Sequence, residues 1–260
     1  DWSSDVCSSD LLLHDGKITA AIVQNNEAAM AEAGTGPFER VGTFPDLRAV
    51  ASLFPKPIHV VVMAASPLAS VSELAGKRLV IADSGPAALT EATDVLKAHR
   101  VPLNALAAPP ERMPIARALT ALEHGEFDAA LITAAAPASE LQDFAAGHSL
   151  RFVPLDSDAI ALMTTGAATY LPMTLPGQTY PGQPRPIATV ALVAQLVSLA
   201  TVPAGEIETL LRVMLGEVDY LRHGSGVGAM VSPHSAKNGL TLPLHQGAES
   251  FLTAATQKGG

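Results

Sequence analysis

The sequence predicts an α/β fold built as two similar lobes, and three observations carry that expectation. Residues 13–24, Leu-His-Asp-Gly-Lys-Ile-Thr-Ala-Ala-Ile-Val-Gln, are echoed 109 positions later by residues 122–133, Leu-Glu-His-Gly-Glu-Phe-Asp-Ala-Ala-Leu-Ile-Thr. Each copy reads as a helix end, a Gly suited to the left-handed residue that closes a helix, a charged residue and a short apolar strand of the kind buried on both faces. Strands and helices alternate along the chain, which is the pattern of α/β proteins with largely parallel sheets. The spacing of the copies is far longer than the roughly 20–50-residue period of a solenoid. It fits two lobes that each deliver a strand to their own sheet, with a ligand cleft between them.

The elements follow in order. Residues 18–23 form a strand that runs into Gln24-Asn25-Asn26. Asn is a favoured N-cap, so a helix is expected over about 27–33, closed by Gly34. Residues 37–57 read as loop-rich, with a short helix near 47–53. Residues 58–63 are a continuous β-branched run and hence a buried strand. A turn follows at 71–76 and a strand at 77–82. Asp83-Ser84-Gly85-Pro86 then opens a helix ending near His99-Arg100, with Pro86 at the first helical position. Ile115, Ala118, Leu119 and Leu122 share one helix face. A strand over 127–132 leads into a helix opened by Ala135-Ala136-Pro137, and residues 152–155 are a further strand. The five prolines between Pro172 and Pro186 make that stretch extended or looped. Residues 187–193 read as a strand passing into a helix. Ile207, Leu210, Leu211, Met214, Val218 and Leu221 mark a strong amphipathic helix. The runs 58–63 and 187–193 are the expected crossings between lobes, giving lobe 1 as residues 11–64 with 186–260 and lobe 2 as 65–185.

Composition narrows the function. The chain has 260 residues, a net charge of −9 and 48% hydrophobic residues. The acidic balance argues against nucleic-acid binding, which needs a basic patch. With 4% aromatic residues, a ring-stacking site for sugars or quaternary amines is disfavoured. The single cysteine, Cys7, excludes an internal disulfide. The apolar run over 190–202 is interrupted by Gln195 and Ser198 and falls short of the ~20 residues of a spanning helix. Residues 1–10, Asp-Trp-Ser-Ser-Asp-Val-Cys-Ser-Ser-Asp, have no apolar period and read as a translated sequencing adapter, with a native polar tail as the alternative. On the first reading Trp2 and Cys7 have no functional meaning, this segment is a non-native or disordered tail, and the native start is expected to be missing.

Three helices are expected to begin directly after a strand, at Asn25-Asn26, Ser84-Gly85 and Ala136-Pro137. A helix start has free N–H groups and a partial positive charge, and ligands of open α/β sheets lie at the carboxyl ends of strands. Such starts can hold a carboxylate without an Arg; the alternative is ordinary capping with nothing bound. The sequence has no H-E-x-x-H, no G-x-S-x-G and no phosphate-binding loop, and no His pairs with Cys at a metal spacing. Gly224-Ser225-Gly226-Val227-Gly228 reads as a loop. His245 reads as a packed, hydrogen-bonded histidine rather than a catalytic one. Tyr180 serves either to reach a ligand or to pack over the hinge.

These motifs resemble those of the TAXI-type extracytoplasmic solute receptors that serve TRAP transporters. The matching stretches are 15–34, Leu74-Ala75-Gly76-Lys77-Arg78-Leu79-Val80, Ser84-Gly85, 125–137, Thr179-Tyr180-Pro181-Gly182-Gln183 and 242–251, together covering about residues 11–255. Pro243-Leu244-His245-Gln246-Gly247-Ala248 is the most specific of them. The resemblance implies a two-lobed, periplasmic-binding-protein-like (class II) fold with two crossing strands as hinge, and with lobe 1 incomplete, because such receptors carry a strand, a helix and a second strand ahead of the first repeat. It implies a non-enzymatic receptor without cofactor or metal. The receptor would capture a small carboxylate, glutamate-like or dicarboxylate, and deliver it to TRAP-type membrane subunits outside the cytoplasm, its signal peptide lost with the start. Gln24, Asn25 and Asn26 would line the lobe-1 side of the cleft, Ser84, Gly85, Ala135 and Pro137 the lobe-2 side, and Tyr180 the hinge. The sequence departs from the family pattern at Asn25 (commonly Asp), at Pro86 (commonly Thr) and at Ala135 or Ala136 (commonly Gly), which leaves the ligand's identity open. An enzyme on the same fold, or a ligand-sensing domain of a regulator, are the competing readings.

Overall fold

The computed structural model describes residues 12–13, 15–82, 85–165, 169–216 and 230–258. The adapter-like start, Ser84, the glycine-rich 224–228 stretch and the far end of the amphipathic helix (Val218, Leu221) lie outside these described residues. The chain divides into two compact units: residues up to Pro55 with those from Leu192 onward, and Lys56–Ala191. Two strands carry the chain from one unit to the other, β2 (Leu47–Met63) and β8 (Ile187–Leu199).

In the first unit, β1 (Ala20–Gln24) lies antiparallel to β8, with Ala21 opposite Val197 and Val23 opposite Gln195. Opposed residues of an antiparallel pair project to the same face. On that face Ala21, Val23 and Val197 pack with Ala28 and Ala31 of α1 (Asn25–Ala33) and with Phe38, Phe44 and Leu47. A second core gathers Val50, Leu53, Leu196 and Ile207 with Leu211 and Leu252. These last three come from α6 (Ala204–Gly216) and α7 (Gln246–Lys258).

In the second unit, the later half of β2 pairs antiparallel with β5 (Ala129–Thr133) and β6 (Leu150–Val153). β3 (Leu79–Ile81) is parallel to β5 and to β4 (Glu111–Arg112). β7 (Leu171–Leu175) is antiparallel to the start of β8. The helices are α2 (Ala88–Ala98), α3 (Ile115–Glu123), α4 (Ser139–Gly147) and α5 (Ser157–Thr165). The core joins Val61, Val80, Leu119, Leu122, Ile132, Leu141, Phe152 and Tyr180. Beside it, Arg78 grips Asp128 through Nε (3.1 Å) and Nη2 (2.9 Å), while the Arg78 N–H donates to the same carboxylate at 2.8 Å. The guanidinium holds the Asp128 carboxyl below the usual carboxylate range.

The sequence echo is a structural one. β1 and β5 have the same offset as the two sequence copies. Gly16 (φ 66°) and Gly125 (φ 70°) are both left-handed. Gly16 N–H donates to Leu13 C=O and Lys17 N–H to Leu12 C=O; Gly125 N–H donates to Leu122 C=O and Glu126 N–H to Ala121 C=O. Both are the paired bonds that close a helix before a left-handed residue.

Several expectations are corrected. The short helix near 47–53 is strand: β2 is continuous for 17 residues because Leu47, Ala49, Val50, Ala51 and Leu53 are all buried in the unit's cores. Pro55 and Pro57 do not break it; they lie where the chain leaves one unit for the other. Residues 187–193 do not pass into a helix but continue as β8, whose apolar run is buried nearly throughout. The 172–186 stretch begins as β7. The sheet pairs are mixed rather than largely parallel, since β2 and β8 reach their partners in the antiparallel sense. Pro86 precedes the N-cap of α2, Ala87, so it does not occupy the first helical position. Helix α4 starts at Ser139 after the N-cap Ala138, two residues beyond Pro137.

Gly247 offers a stability test. A Cβ there would press into the Ala204 backbone carbonyl at the start of α6. Gly247→Ala should destabilise the first unit by about 1–3 kcal/mol, even though alanine gains up to about 1 kcal/mol in helix propensity. Chemical denaturation measures the balance, and an unchanged or raised midpoint would show that α7 can slide away from α6.

Candidate functional site

The expected site residues gather at helix starts that follow strands. In the first unit, β1 ends on Gln24, which is the N-cap of α1. The Asn residues expected at the cap are instead inside the helix. Glu27 reaches back to the N-cap as in a capping box, its Oε2 3.4 Å from the Gln24 N–H. Gln24, Asn25, Asn26 and Glu27 are all buried. Asn25 acts as a clamp. Its Oδ1 accepts the Val193 N–H (3.2 Å), its Nδ2 donates to Gly239 C=O (2.9 Å), and its own carbonyl accepts Thr241 Oγ1 (2.6 Å). Asn26 Oδ1 accepts from Gln24 Nε2 (3.0 Å) and from the Glu27 N–H (2.8 Å). Thus three carboxamides and a carboxylate share one strand end. Gln195 is also buried in this unit and stands opposite Val23 in the ladder.

In the second unit, β3 and β5 are parallel, with Ile81 level with Leu131. Their following turns therefore share one sheet edge, the carboxyl edge where open α/β sheets take ligands. Gly85 lies there, its carbonyl accepting from Arg112 Nη2. Behind it Glu91, buried in the first turn of α2, accepts Thr133 Oγ1 at 2.6 Å. Ala135 is half-buried and Pro137 exposed, and the Ala136–Pro137 peptide is cis.

Tyr180 is 2% exposed and lies in the core of this unit. Its ring stacks on Phe152 (centroids 4.9 Å apart) and meets His59 edge-on. Its hydroxyl is 2.9 Å from His59 Nε2 and 3.1 Å from the Ala138 N–H. Burial pushes the His59 pKa down to about 4, so the ring is neutral. His59 Nδ1 faces the Ile132 carbonyl at 3.2 Å and must carry the proton there. Nε2 is then an acceptor, and every donor has one direction: Ala138 N–H to Tyr180 oxygen, Tyr180 O–H to His59, His59 N–H to Ile132 C=O. Tyr180 thus caps the start of α4, and burial raises its own pKa to about 12.

The Thr179–Gln183 motif has a local explanation. Gln183 Oε1 accepts the Tyr180 N–H, and its Nε2 donates to Pro176 and Arg185 carbonyls. His245 is packed, as its sequence context suggests: Nε2 faces Val202 C=O (3.1 Å) and Nδ1 accepts the Gly247 N–H (3.1 Å). His59, Glu91, Gln183 and Gln195 were not singled out as site residues from sequence. Each is a polar residue inside an apolar or motif stretch, and only that mismatch could have flagged them. Among the described residues no group of three His, Cys, Asp or Glu could hold a metal ion, and no helix is long and apolar enough to cross a membrane.

The model of the NMT1-like family matches residues 10–254. The chain belongs to the NMT1-like family. Solved structures similar to this NMT1-like protein include the periplasmic aliphatic sulphonate binding protein SsuA from Escherichia coli, at 14% identity and a TM-score of 0.49. That match covers 84% of this chain and 58% of the other, so the chain spans less than two thirds of that protein. A protein from Archaeoglobus fulgidus is 15% identical (TM-score 0.49), with 98% and 85% covered. The alkanesulfonate-binding protein SsuA from Xanthomonas axonopodis pv. citri, bound to MOPS, is 18% identical (TM-score 0.47), with 94% and 68% covered.

Two outcomes follow from the Tyr180–His59 pair. Tyr180→Phe keeps the stacked ring but orphans the Ala138 N–H and His59 Nε2. At about 1–3 kcal/mol for each buried unmet group, it should destabilise the protein by roughly 2–6 kcal/mol in denaturant titration. The second concerns acid. The unfolded chain protonates His59 near the ordinary 6.5, the folded chain only near about 4. Its contribution is therefore complete above pH 6.5 and is lost as pH falls toward 4, by roughly 3 kcal/mol in all. Melting from pH 7.5 to 4.5 should show this slope, flattened in His59→Gln; an equal slope in both would place the titration elsewhere.

Proposed function

We propose that this NMT1-like chain is a solute-binding receptor that captures a small carboxylate, glutamate-like or dicarboxylate, and performs no chemistry on it. The observation that carries the reading is the run of buried carboxamides, Gln24, Asn25 and Asn26, at the end of β1 and the start of α1. Helix-start N–H groups hold an anion without a cationic side chain, and the carboxamides at that start, two of which donate within the chain, keep it polar and uncharged. Gly85 and Ala135, at the carboxyl edge of the second unit's sheet, would supply further backbone N–H contacts, together with Ser84, while Pro137, which has no N–H, would only pack against the solute. Tyr180 would act by fixing the start of α4. The TAXI-like motifs support delivery to a TRAP-type permease, in an extracytoplasmic compartment. An uncharged donor set suits a carrier, which must release its solute as readily as it takes it up.

Calorimetry with acidic amino acids and dicarboxylates should give a Kd in the micromolar range or tighter, about −8 kcal/mol. Asn26→Leu, which removes the amide and fills its place, should weaken binding about tenfold or more while the protein stays folded. Heat with sugars or cations and none with carboxylates would overturn the anion reading.

A further inference from the structure

Gln195 lies in the middle of β8 with 0% exposure. Among the described residues, neither its Oε1 nor its Nε2 has a hydrogen-bond partner. A buried carboxamide with both ends unmet opposes folding, and such a group in a native chain calls for something outside the chain to meet it. Its direction follows from the ladder. Gln195 stands opposite Val23, so it projects to the face that α1 covers, where Val23 and Val197 pack with Ala28 and Ala31. Two residues earlier, the Val193 N–H is held by Asn25. The residue after Val23 is Gln24, the N-cap of α1. The amide therefore lies beneath the first turn of a nine-residue helix, at the strand end where that helix presents its N–H groups.

We infer that Gln195 is a ligand-contacting residue, and that it selects a solute with a hydrogen-bond donor beside its carboxylate. The inference rests on the receptor reading above. A carboxamide offers an NH2 donor and a carbonyl acceptor on adjacent atoms. A carboxylate oxygen accepts from Nε2, and a neighbouring ammonium or hydroxyl donates to Oε1. A plain dicarboxylate brings acceptors only and leaves Oε1 unmet in a desolvated place. An α-amino or α-hydroxy acid satisfies both ends. Sites that hydrogen-bond a substrate N–H or O–H discriminate strongly against the analogue that lacks it.

The test uses L-glutamate, L-2-hydroxyglutarate and glutarate, which share five carbons and two carboxylates and differ only at C2. Calorimetry on the full chain should show the first two binding about tenfold or more tighter than glutarate. Gln195→Leu, an apolar residue of similar volume, should lose most of that preference, and without ligand it should melt no lower than the parent. Glutarate binding as tightly as glutamate, a preference that survives in Gln195→Leu, or a lowered melting point in that variant would each overturn the assignment. The last outcome would make the amide the holder of an internal water. Binding of none of the three by the parent protein would overturn the carboxylate reading and this assignment with it, whereas the other outcomes overturn the assignment alone.

Discussion

The second unit depends on one directional chain of hydrogen bonds through a histidine that must stay uncharged. It begins at the Ala138 N–H, passes through Tyr180 and His59, and ends on the Ile132 carbonyl. Its two ends are six residues apart in sequence, on either side of the turn that joins β5 to α4. Its two middle members come from β2 and from the loop after β7. A turn held this way has little freedom, because the neutral imidazole allows only one arrangement of protons. The turn carries Ala135 and Pro137, so the placement of two candidate ligand residues is set by side chains that need not touch a ligand.

Each helix start at a candidate site already meets a group from the chain itself: Glu27 at α1, the Glu91–Thr133 pair at the first turn of α2, and Tyr180 at α4. Acidic side chains in a first turn complement the helix dipole. The positive character of α1 and α2 is thereby partly answered from within. What is left for an anion is hydrogen bonding from amides and backbone rather than bulk charge.

The echo of residues 13–24 at 122–133 made the most specific part of the architecture readable. A Gly after an apolar helix end and before an apolar run leaves few alternatives, and Gly16 and Gly125 adopt the same left-handed turn. The helix faces of α3 and α6 were readable for a similar reason, because their apolar spacing is regular. The long strands were not. Pro55 and Pro57 look like breakers in sequence, yet β2 runs through them, and the burial that overrides local preference comes from distant partners such as Leu242 and Ile207. The candidate site was half legible. A run of polar residues at Gln24-Asn25-Asn26 is visible to any reader of the sequence. His59 and Gln195 sit singly in β-branched runs, where their weight comes only from what surrounds them.

The hydrogen bond from Thr189 Oγ1 to the Ile58 carbonyl, 2.6 Å long, ties together the two ends of the second unit's contiguous stretch of chain. Seen from the first unit, everything between them is a single excursion that departs and returns at one place. The entropy of closing such an excursion grows only with the logarithm of its length, so its size is nearly immaterial to the first unit. Additions or deletions within it are constrained by its own core. The turns at Gly16 and Gly125 are one local solution used once in each unit, a left-handed glycine that closes a helix ahead of a buried strand.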